Sequence, residues 1–171
     1  MTFNVGNKVV YPSQGPCLIG AVVKKTVGGT PISFYKLALL DGNGGDLFVP
    51  VDKVTAVGIR QLLEKSQIPK LLGHLKNAAV GATNWKQRMI ENTKLLASGS
   101  AFGLAQVIES LTDLNETKTL TPRDRQTLDR ARKILICEIS EVTGETKTAT
   151  EEQLNKALAL RKDAAASRPA V

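Results

Sequence analysis

The sequence contains few aromatic residues and almost no histidine or cysteine. Of its 171 residues, 4% are aromatic, one is His and two are Cys, whereas 42% are hydrophobic. We therefore expect a mostly aliphatic core. Cys17 and Cys137 are too far apart in the sequence to form a paired metal motif, and two cysteines are too few for a disulfide framework. Both are predicted to be buried thiols.

Long apolar runs and recognisable catalytic sets are also missing. No stretch is apolar enough to span a membrane, and the N-terminus lacks the apolar core of a secretory signal, which predicts a cytoplasmic protein. His74 is the only histidine, and no residue pattern supplies the partner that a general base needs. Because the acidic residues lack metal-ligand spacing, we expect no catalytic residue, no metal and no cofactor. An enzyme dependent on His74 is the distant alternative.

Positive charge is plentiful but unevenly distributed. The formal net charge is +7; residues 1–57 hold five Lys, no Arg and three Asp, while residues 58–171 hold eighteen basic and thirteen acidic residues. Arg contacts phosphate in a bidentate manner that Lys cannot match, so we expect any nucleic-acid contact in the second part. A merely solvated basic surface is the alternative explanation.

The first third of the chain has the pattern of short β-strands. Apolar and β-branched stretches at 9–11, 17–27, 32–40 and 46–51 are separated by Gly-rich turns. No helical crossover lies between them, so the sheet should be antiparallel. We predict a Tudor-like or SH3-like β-barrel at residues 1–57.

Helical spacing begins after Gly58. Apolar residues recur at helical intervals from Ile59, Pro122 is suited to the first turn of a helix, and Gly144 is suited to ending it. Thr148 or Thr150 is expected to cap a last helix. The predicted fold class is thus α+β and multidomain, with an all-α domain of about five helices at 58–163 and a flexible tail at 164–171.

The single tryptophan, Trp85, stands at the start of a predicted helix. Taken alone, it would be a core residue, because aromatic side chains have large burial energies. However, Lys86 follows it and Arg88 lies one turn on. An apolar ring flanked by cations is suited to insertion into a nucleic-acid groove, where the charges would hold phosphates.

Two further surfaces are candidates for binding. On the helix after Pro122, Arg125 and Arg132 fall near one edge of the apolar stripe, where they would either bind phosphate or remain solvated. In the β domain, Lys25 and Phe48 lie on strands that could pair with a partner's strand if one of them is an edge strand. A barrel-interior position for Phe48 is the alternative.

Three segments together resemble the CarD/CdnL family of bacterial RNA polymerase-binding proteins. They are residues 3–12 (FNVGNKVVYP), residues 48–54 (FVPVDKV) with 57–60 (VGIR), and residues 83–88 (TNWKQR). The resemblance covers nearly the whole chain. It implies a Tudor-like domain that binds the polymerase β subunit and a helical domain that contacts promoter DNA at the upstream edge of the melted bubble.

Specific roles follow from the resemblance. It implies that Trp85 is a minor-groove wedge that holds the bubble open without reading sequence. Lys86, Arg88, Arg125 and Arg132 would contact DNA, and Lys25, Val27 and Phe48 would contact polymerase. Gln87 and Ile90 stand where several family members carry Arg or Lys, and Phe48 stands where some members carry Arg and others an apolar residue. A monomeric, nucleoid-associated regulator is expected, with no membrane partner.

Two alternatives remain from the sequence. A polymerase-binding adaptor that never touches DNA would bury Trp85. An RNA-binding module is the other, although the β domain has few aromatic residues on which bases could stack.

Overall fold

Five antiparallel strands form one sheet at the N-terminal end of the chain. In the computed structural model, which describes residues 2–76 and 85–166, the spatial order of the strands is β4-β3-β2-β1-β5. The strands are β1 (Lys8–Tyr11), β2 (Gly15–Val27), β3 (Thr30–Leu39), β4 (Asp46–Pro50) and β5 (Arg60–Gln61). The predicted antiparallel β domain is confirmed, with β4 and β5 as its edges.

A long hairpin of β2 and β3 dominates this sheet. Gly28 and Gly29 form its turn with φ of 59° and 81°, in the left-handed region that glycine adopts without a Cβ clash. Along β3, Tyr35 and Leu37 point inward, so the buried residues alternate along the strand. The inward residues of β1 to β4 form one mostly aliphatic core. Within it, the Tyr35 hydroxyl donates a 2.7 Å hydrogen bond to the Phe3 carbonyl.

Helical spacing was misleading between residues 59 and 63. Arg60 and Gln61 form β5, which pairs with Val10 and Val9 of β1, so the predicted helix is wrong there. Ile59 belongs to the core of the β domain, whereas Leu63 packs against the core of the helices. These apolar residues look helical in sequence because they serve two different cores across a short strand. The sheet therefore extends past residue 57.

Helices predominate in the rest of the described residues. A single turn, α1 (Val54–Val57), precedes β5, and five helices follow: α2 (Ile68–Lys76), α3 (Trp85–Ser98), α4 (Ala101–Thr117), α5 (Pro122–Thr143) and α6 (Lys147–Ala166). The expectation of about five helices is confirmed. Gly144 ends α5 with a φ of 76°, as expected, but the cap of α6 is Thr146, whose hydroxyl accepts a 3.0 Å hydrogen bond from the Ala149 amide. Thr148 and Thr150 lie inside that helix.

Leucine and isoleucine side chains from α2, α4, α5 and α6 form the core of the helical part. One buried charge cluster crosses it. Arg161 of α6, only 1% exposed, donates hydrogen bonds to both carboxylate oxygens of Asp113 and lies 3.9 Å from Glu109. Glu109 in turn bonds the His74 ring at 2.7 Å. His74 thus joins α2 to α4 and has a structural partner.

The sheet and the helices meet along α5 and are joined by several polar contacts. The Arg130 guanidinium donates hydrogen bonds of 2.8 and 3.2 Å to the carbonyl of Ser13, in the turn between β1 and β2. Lys8 of β1 pairs with Glu141 at 2.8 Å, and Lys133 lies 3.8 Å from Asp41. These contacts distribute the junction over two turns of the sheet and most of α5.

Candidate polymerase and nucleic-acid interfaces

Phe48 lies on the outer face of edge strand β4 and is 44% exposed. The interior alternative for this residue is therefore wrong. The Lys25 ammonium stands 3.9 Å from the centre of the Phe48 ring, in a cation–π contact. The structure thus brings together two of the residues predicted to bind polymerase.

The strand register shows what shares this face. Residues paired across antiparallel strands project to the same side of the sheet. Phe48 is paired with Lys36 of β3, and Phe34, two residues before Lys36, projects to the same side. Across β2, Lys25 faces Ile32 and Val27 faces Thr30. Val27 is 52% exposed. An apolar surface with two lysines therefore covers the outer side of the β2–β3 hairpin and β4; we call it the hairpin face.

The hairpin face lies far from the junction with the helices. Gly15 lies at the junction, because a Cβ added to it would be only 3.6 Å from the side chain of Ile134 in α5. Lys25 is ten residues further along β2, which corresponds to about 33 Å of strand. The two ends of the β domain can therefore serve different partners at the same time.

On the helical side, the predicted DNA-binding residues of α3 are close in sequence and on the helix surface. Lys86 is exposed and Arg88 is half-buried in the first turn of α3. The indole of Trp85 lies outside the described part of the chain. Its role as a DNA wedge, rather than a core residue, accordingly remains a prediction.

The two predicted arginines of α5 have different surroundings. Arg125 is exposed near the start of the helix. Arg132 is half-buried, donates a 2.6 Å hydrogen bond to the Asn155 side chain and lies 3.6 Å from Glu151. Both acceptors belong to α6. The sequence missed these partners because they are about twenty residues away and follow no local pattern.

A groove that the sequence did not reveal separates α3 from the start of α5. Its volume is about 280 Å³, and its lining residues are Ser13, Met89, Asn92, Thr93, Leu96, Ala97, Arg123, Asp124 and Thr127. Arg123 is nine residues, or two and a half helical turns, before Arg132, so the two face opposite sides of α5. Arg123 lines this groove, whereas Arg125 and Arg132 do not.

The cysteines are both buried, as predicted. Burial raises the pKa of the Cys17 thiol from 9.0 to about 11, and burial also raises the pKa of Cys137. Within residues 2–76 and 85–166, no three His, Cys, Asp or Glu side chains are grouped to hold a metal ion. Likewise, no helix in these ranges is long and apolar enough to cross a membrane.

Comparison with known proteins assigns the family. Residues 3–63 match the CarD-like/TRCF RID domain, and residues 70–155 match the CarD C-terminal domain. The chain belongs to the CarD family. The two matched regions divide the protein as the sheet and the helices do, with β5 inside the first of them.

Two proteins illustrate the similarity of this chain to other CarD-family members. One, from Bacillus subtilis (strain 168) and named "Putative transcription factor YdeB", is 26% identical over 148 residues, or 85% of this chain and 95% of its own length. The other is the solution structure of the 72-residue N-terminal domain of Myxococcus xanthus CarD. It is 37% identical, with a TM-score of 0.31, over 35% of this chain and 79% of that one.

Family membership carries a general function. CarD proteins are non-enzymatic transcription factors, and the first matched region is a type that interacts with RNA polymerase. The chain is therefore a transcription regulator that interacts with RNA polymerase. The hairpin face, α3 and the start of α5 are the surfaces from which a more detailed function can be argued.

Proposed function

We propose that the protein binds the β subunit of RNA polymerase through the hairpin face and stabilises the promoter open complex. In this proposal Trp85 is wedged into the minor groove at the upstream edge of the bubble. Lys25, Val27 and Phe48 contact the β subunit, while Lys86, Arg88, Arg125 and Arg132 contact DNA phosphates. The protein acts as a monomer at the nucleoid and reads no base sequence.

The observation that carries the polymerase half is the exposure of Phe48. Aromatic residues are enriched at protein interfaces, and Phe48 is a phenylalanine that is 44% exposed on an edge strand. Such an edge also offers unpaired backbone groups to a partner strand. The apolar ring of Phe48 favours an apolar contact on the β subunit over an ionic one.

The DNA half is supported by charge and by the contacts between the sheet and α5. Lys86 and Arg88 flank Trp85 at the start of α3, where an aromatic wedge with phosphate-binding neighbours is expected. Because the sheet and helices are joined through α5, polymerase bound to the hairpin face would hold α3 at a fixed position. Tethering of this kind raises the effective concentration of weak DNA contacts, so a net charge of +7 suffices.

Stabilisation follows from unequal affinity for two states of the promoter. A wedge that requires a partly unstacked step binds the open complex better than the closed one, and it shifts the equilibrium by that difference. The DNA contacts are to phosphates, so their strength should fall as salt rises.

The open fraction of a promoter provides the experiment. Permanganate reactivity of unpaired thymines would be measured with polymerase alone, with the protein and with Trp85→Ala, after circular dichroism has established that the variant is folded. The proposal predicts higher reactivity with the native protein only. Equal reactivity with the native protein and a folded Trp85→Ala would contradict the wedge.

A polymerase-binding adaptor without DNA contact is the second candidate. It is favoured by one observation: Arg132 already has acceptors within the protein, Asn155 and Glu151. The adaptor predicts that Arg125→Gln and Arg132→Gln leave the salt dependence of the polymerase–promoter complex unchanged. A reduced salt dependence in Arg125→Gln would instead favour DNA contact.

A further inference from the structure

The groove between α3 and α5 is lined by a buried amide, which has no hydrogen-bond partner in the part of the chain that the structure describes. Asn92 of α3 is 7% exposed and lines the groove. Among the described residues, its side chain makes no hydrogen bond, yet none of its polar atoms is sealed from solvent. Buried polar side chains are nearly always hydrogen-bonded, so this amide is placed to bond with something that enters the groove.

The rest of the lining indicates the shape and polarity of that occupant. Met89, Leu96 and Ala97 supply apolar surface from α3, and the Thr127 hydroxyl lies on the α5 side. Arg123 is exposed at the rim, and no ion pair of its guanidinium occurs within residues 2–76 and 85–166. Apolar walls, one amide and a cation at the rim fit a flat base attached to a phosphate, because bases combine apolar faces with a hydrogen-bonding edge.

The charge of the surrounding segments favours an anionic occupant. Residues 86–97 and 118–127 contain six basic and two acidic residues, a net charge of +4, out of +7 for the whole chain. The two acidic residues are Glu91 and Asp124, of which only Asp124 lines the groove. The positive charge around the groove would attract a nucleic-acid strand and repel a basic protein segment.

We propose that this groove binds one unpaired nucleotide of the melted promoter DNA, with the Asn92 amide on the base edge and Arg123 on its phosphate. The inference rests on the proposed function, because it assumes that α3 faces the bubble. It adds a second DNA site and two residues that the family resemblance does not assign.

Helix geometry places this site next to the wedge. Position 85 comes one turn before Met89 and two turns before Asn92, which corresponds to about 10 Å along α3. A base pair opened at the N-terminus of α3 would thus release its base near the groove. A base paired in a duplex cannot enter, since its edge is occupied and its faces are stacked. The groove therefore discriminates melted from double-stranded DNA.

The test compares forked DNA with blunt duplex. Fluorescence anisotropy at low salt would give the dissociation constants of the full-length protein for a blunt duplex and for a fork whose single-stranded arm begins with adenine. An abasic version of that first nucleotide would remove the base alone. The protein variants are Asn92→Leu, Asn92→Asp and Arg123→Gln. The control for loss of a positive charge is Lys156→Gln, at an exposed position of α6.

We expect the native protein to prefer the fork and Asn92→Leu to lose about fivefold of fork affinity, the effect of a neutral hydrogen bond. The abasic fork should weaken native binding by at least this factor, because the apolar contacts of the base are lost as well. Asn92→Leu should not weaken binding of the abasic fork further, because the amide has no base edge to contact there. Arg123→Gln should weaken fork binding more than duplex binding. Lys156→Gln should leave the ratio of fork affinity to duplex affinity unchanged. Asn92→Asp covers the case in which leucine disturbs the fold: it keeps the amide's shape but should repel the phosphate.

The possible failures separate the two proposals. If both folded Asn92 variants keep the full preference for the fork, the groove does not bind a nucleotide, while the Trp85 wedge is untouched. If the native protein binds neither DNA, even at low salt, the DNA half of the proposed function fails and this inference fails with it. If Asn92→Leu instead lowers affinity for polymerase and leaves fork binding intact, the groove binds a protein segment and the inference is overturned.

Discussion

Arg60 of β5 and Glu138 of α5 form a two-pronged ion pair across the junction between the sheet and the helices. Their nitrogen–oxygen distances are 2.5 and 2.9 Å, and Glu138 is fully buried. Arg60 also donates a 2.8 Å hydrogen bond to the Gly99 carbonyl, and the Leu63 amide bonds Glu138 at 3.1 Å. One arginine thereby ties β5 both to α5 and to the bend between α3 and α4.

Removing Arg60 should strongly destabilise the protein. Arg60→Met leaves the buried Glu138 carboxylate without its cation, and breaking a buried pair in this way costs about 3 kcal/mol. The double variant Arg60→Met with Glu138→Leu should recover part of that loss, because no unpaired charge is left. Urea unfolding of the two single variants and the double variant measures the coupling. Additive losses would mean that the pair contributes nothing as a pair.

Gly99 is predicted to be intolerant of even one added methyl group. Its φ is 71°, and a Cβ there would lie 3.1 Å from both Cβ and Cγ of Pro12, in the β1–β2 turn. Gly99→Ala should cost about 2 kcal/mol through backbone strain and overpacking. Gly73→Ala, in helix α2 with no atom within 4 Å of the added Cβ, is the control. It should raise the free energy of unfolding by about 0.5 kcal/mol, and thermal denaturation of both variants tests the contrast.

Stability should fall at alkaline pH because of Cys17. Its folded-state pKa of about 11 exceeds the unfolded value of 9.0, so the unfolded chain loses this proton first as pH rises. The stabilisation is complete below pH 9 and lost towards pH 11, by roughly 2 kcal/mol between pH 8 and 10.5. Cys17→Ala should reduce this decline in urea unfolding. The same decline in both proteins would show that other groups cause it.

Phe48 and Lys25 should act together in polymerase binding. Phe48→Ala is expected to weaken binding about tenfold with little change in stability, since the ring is exposed and serves an interface rather than the core. Lys25→Gln alone should have a smaller effect and little further effect in the double variant. Biolayer interferometry with immobilised polymerase measures both, with Val5→Ala, at another exposed apolar position, as the control. Unchanged binding by Phe48→Ala would move the polymerase contact away from the hairpin face.

Local patterns in the sequence predict much of the architecture. Gly28-Gly29, Pro122 and Gly144 mark a hairpin turn and the two ends of α5 because their backbone preferences act within a few residues. The stretch from Ile59 to Leu63 was misread for the opposite reason. Its apolar spacing records packing against two separate cores, and only β1, fifty residues earlier, makes it a strand.

The sites were predicted less completely because their partners are distant. Exposed Phe48 could not be told from a core residue without knowing that β4 is an edge. The acceptors of Arg130 and Arg132, Ser13 and Asn155, follow no spacing rule. For Asn92 the only signal was its position one turn after Arg88, which does not reveal a groove that also needs α5.

The lifetime of the promoter open complex tests the central claim most directly. Complexes formed with and without the protein would be challenged with a competitor, using the native protein, Trp85→Ala and Phe48→Ala, all shown to be folded. The account predicts that the native protein lengthens the lifetime and that Trp85→Ala does not, even at concentrations that saturate polymerase. Phe48→Ala should lengthen the lifetime again once its concentration is high enough to saturate polymerase. A lifetime that the native protein leaves unchanged, or that Trp85→Ala lengthens equally, would contradict it.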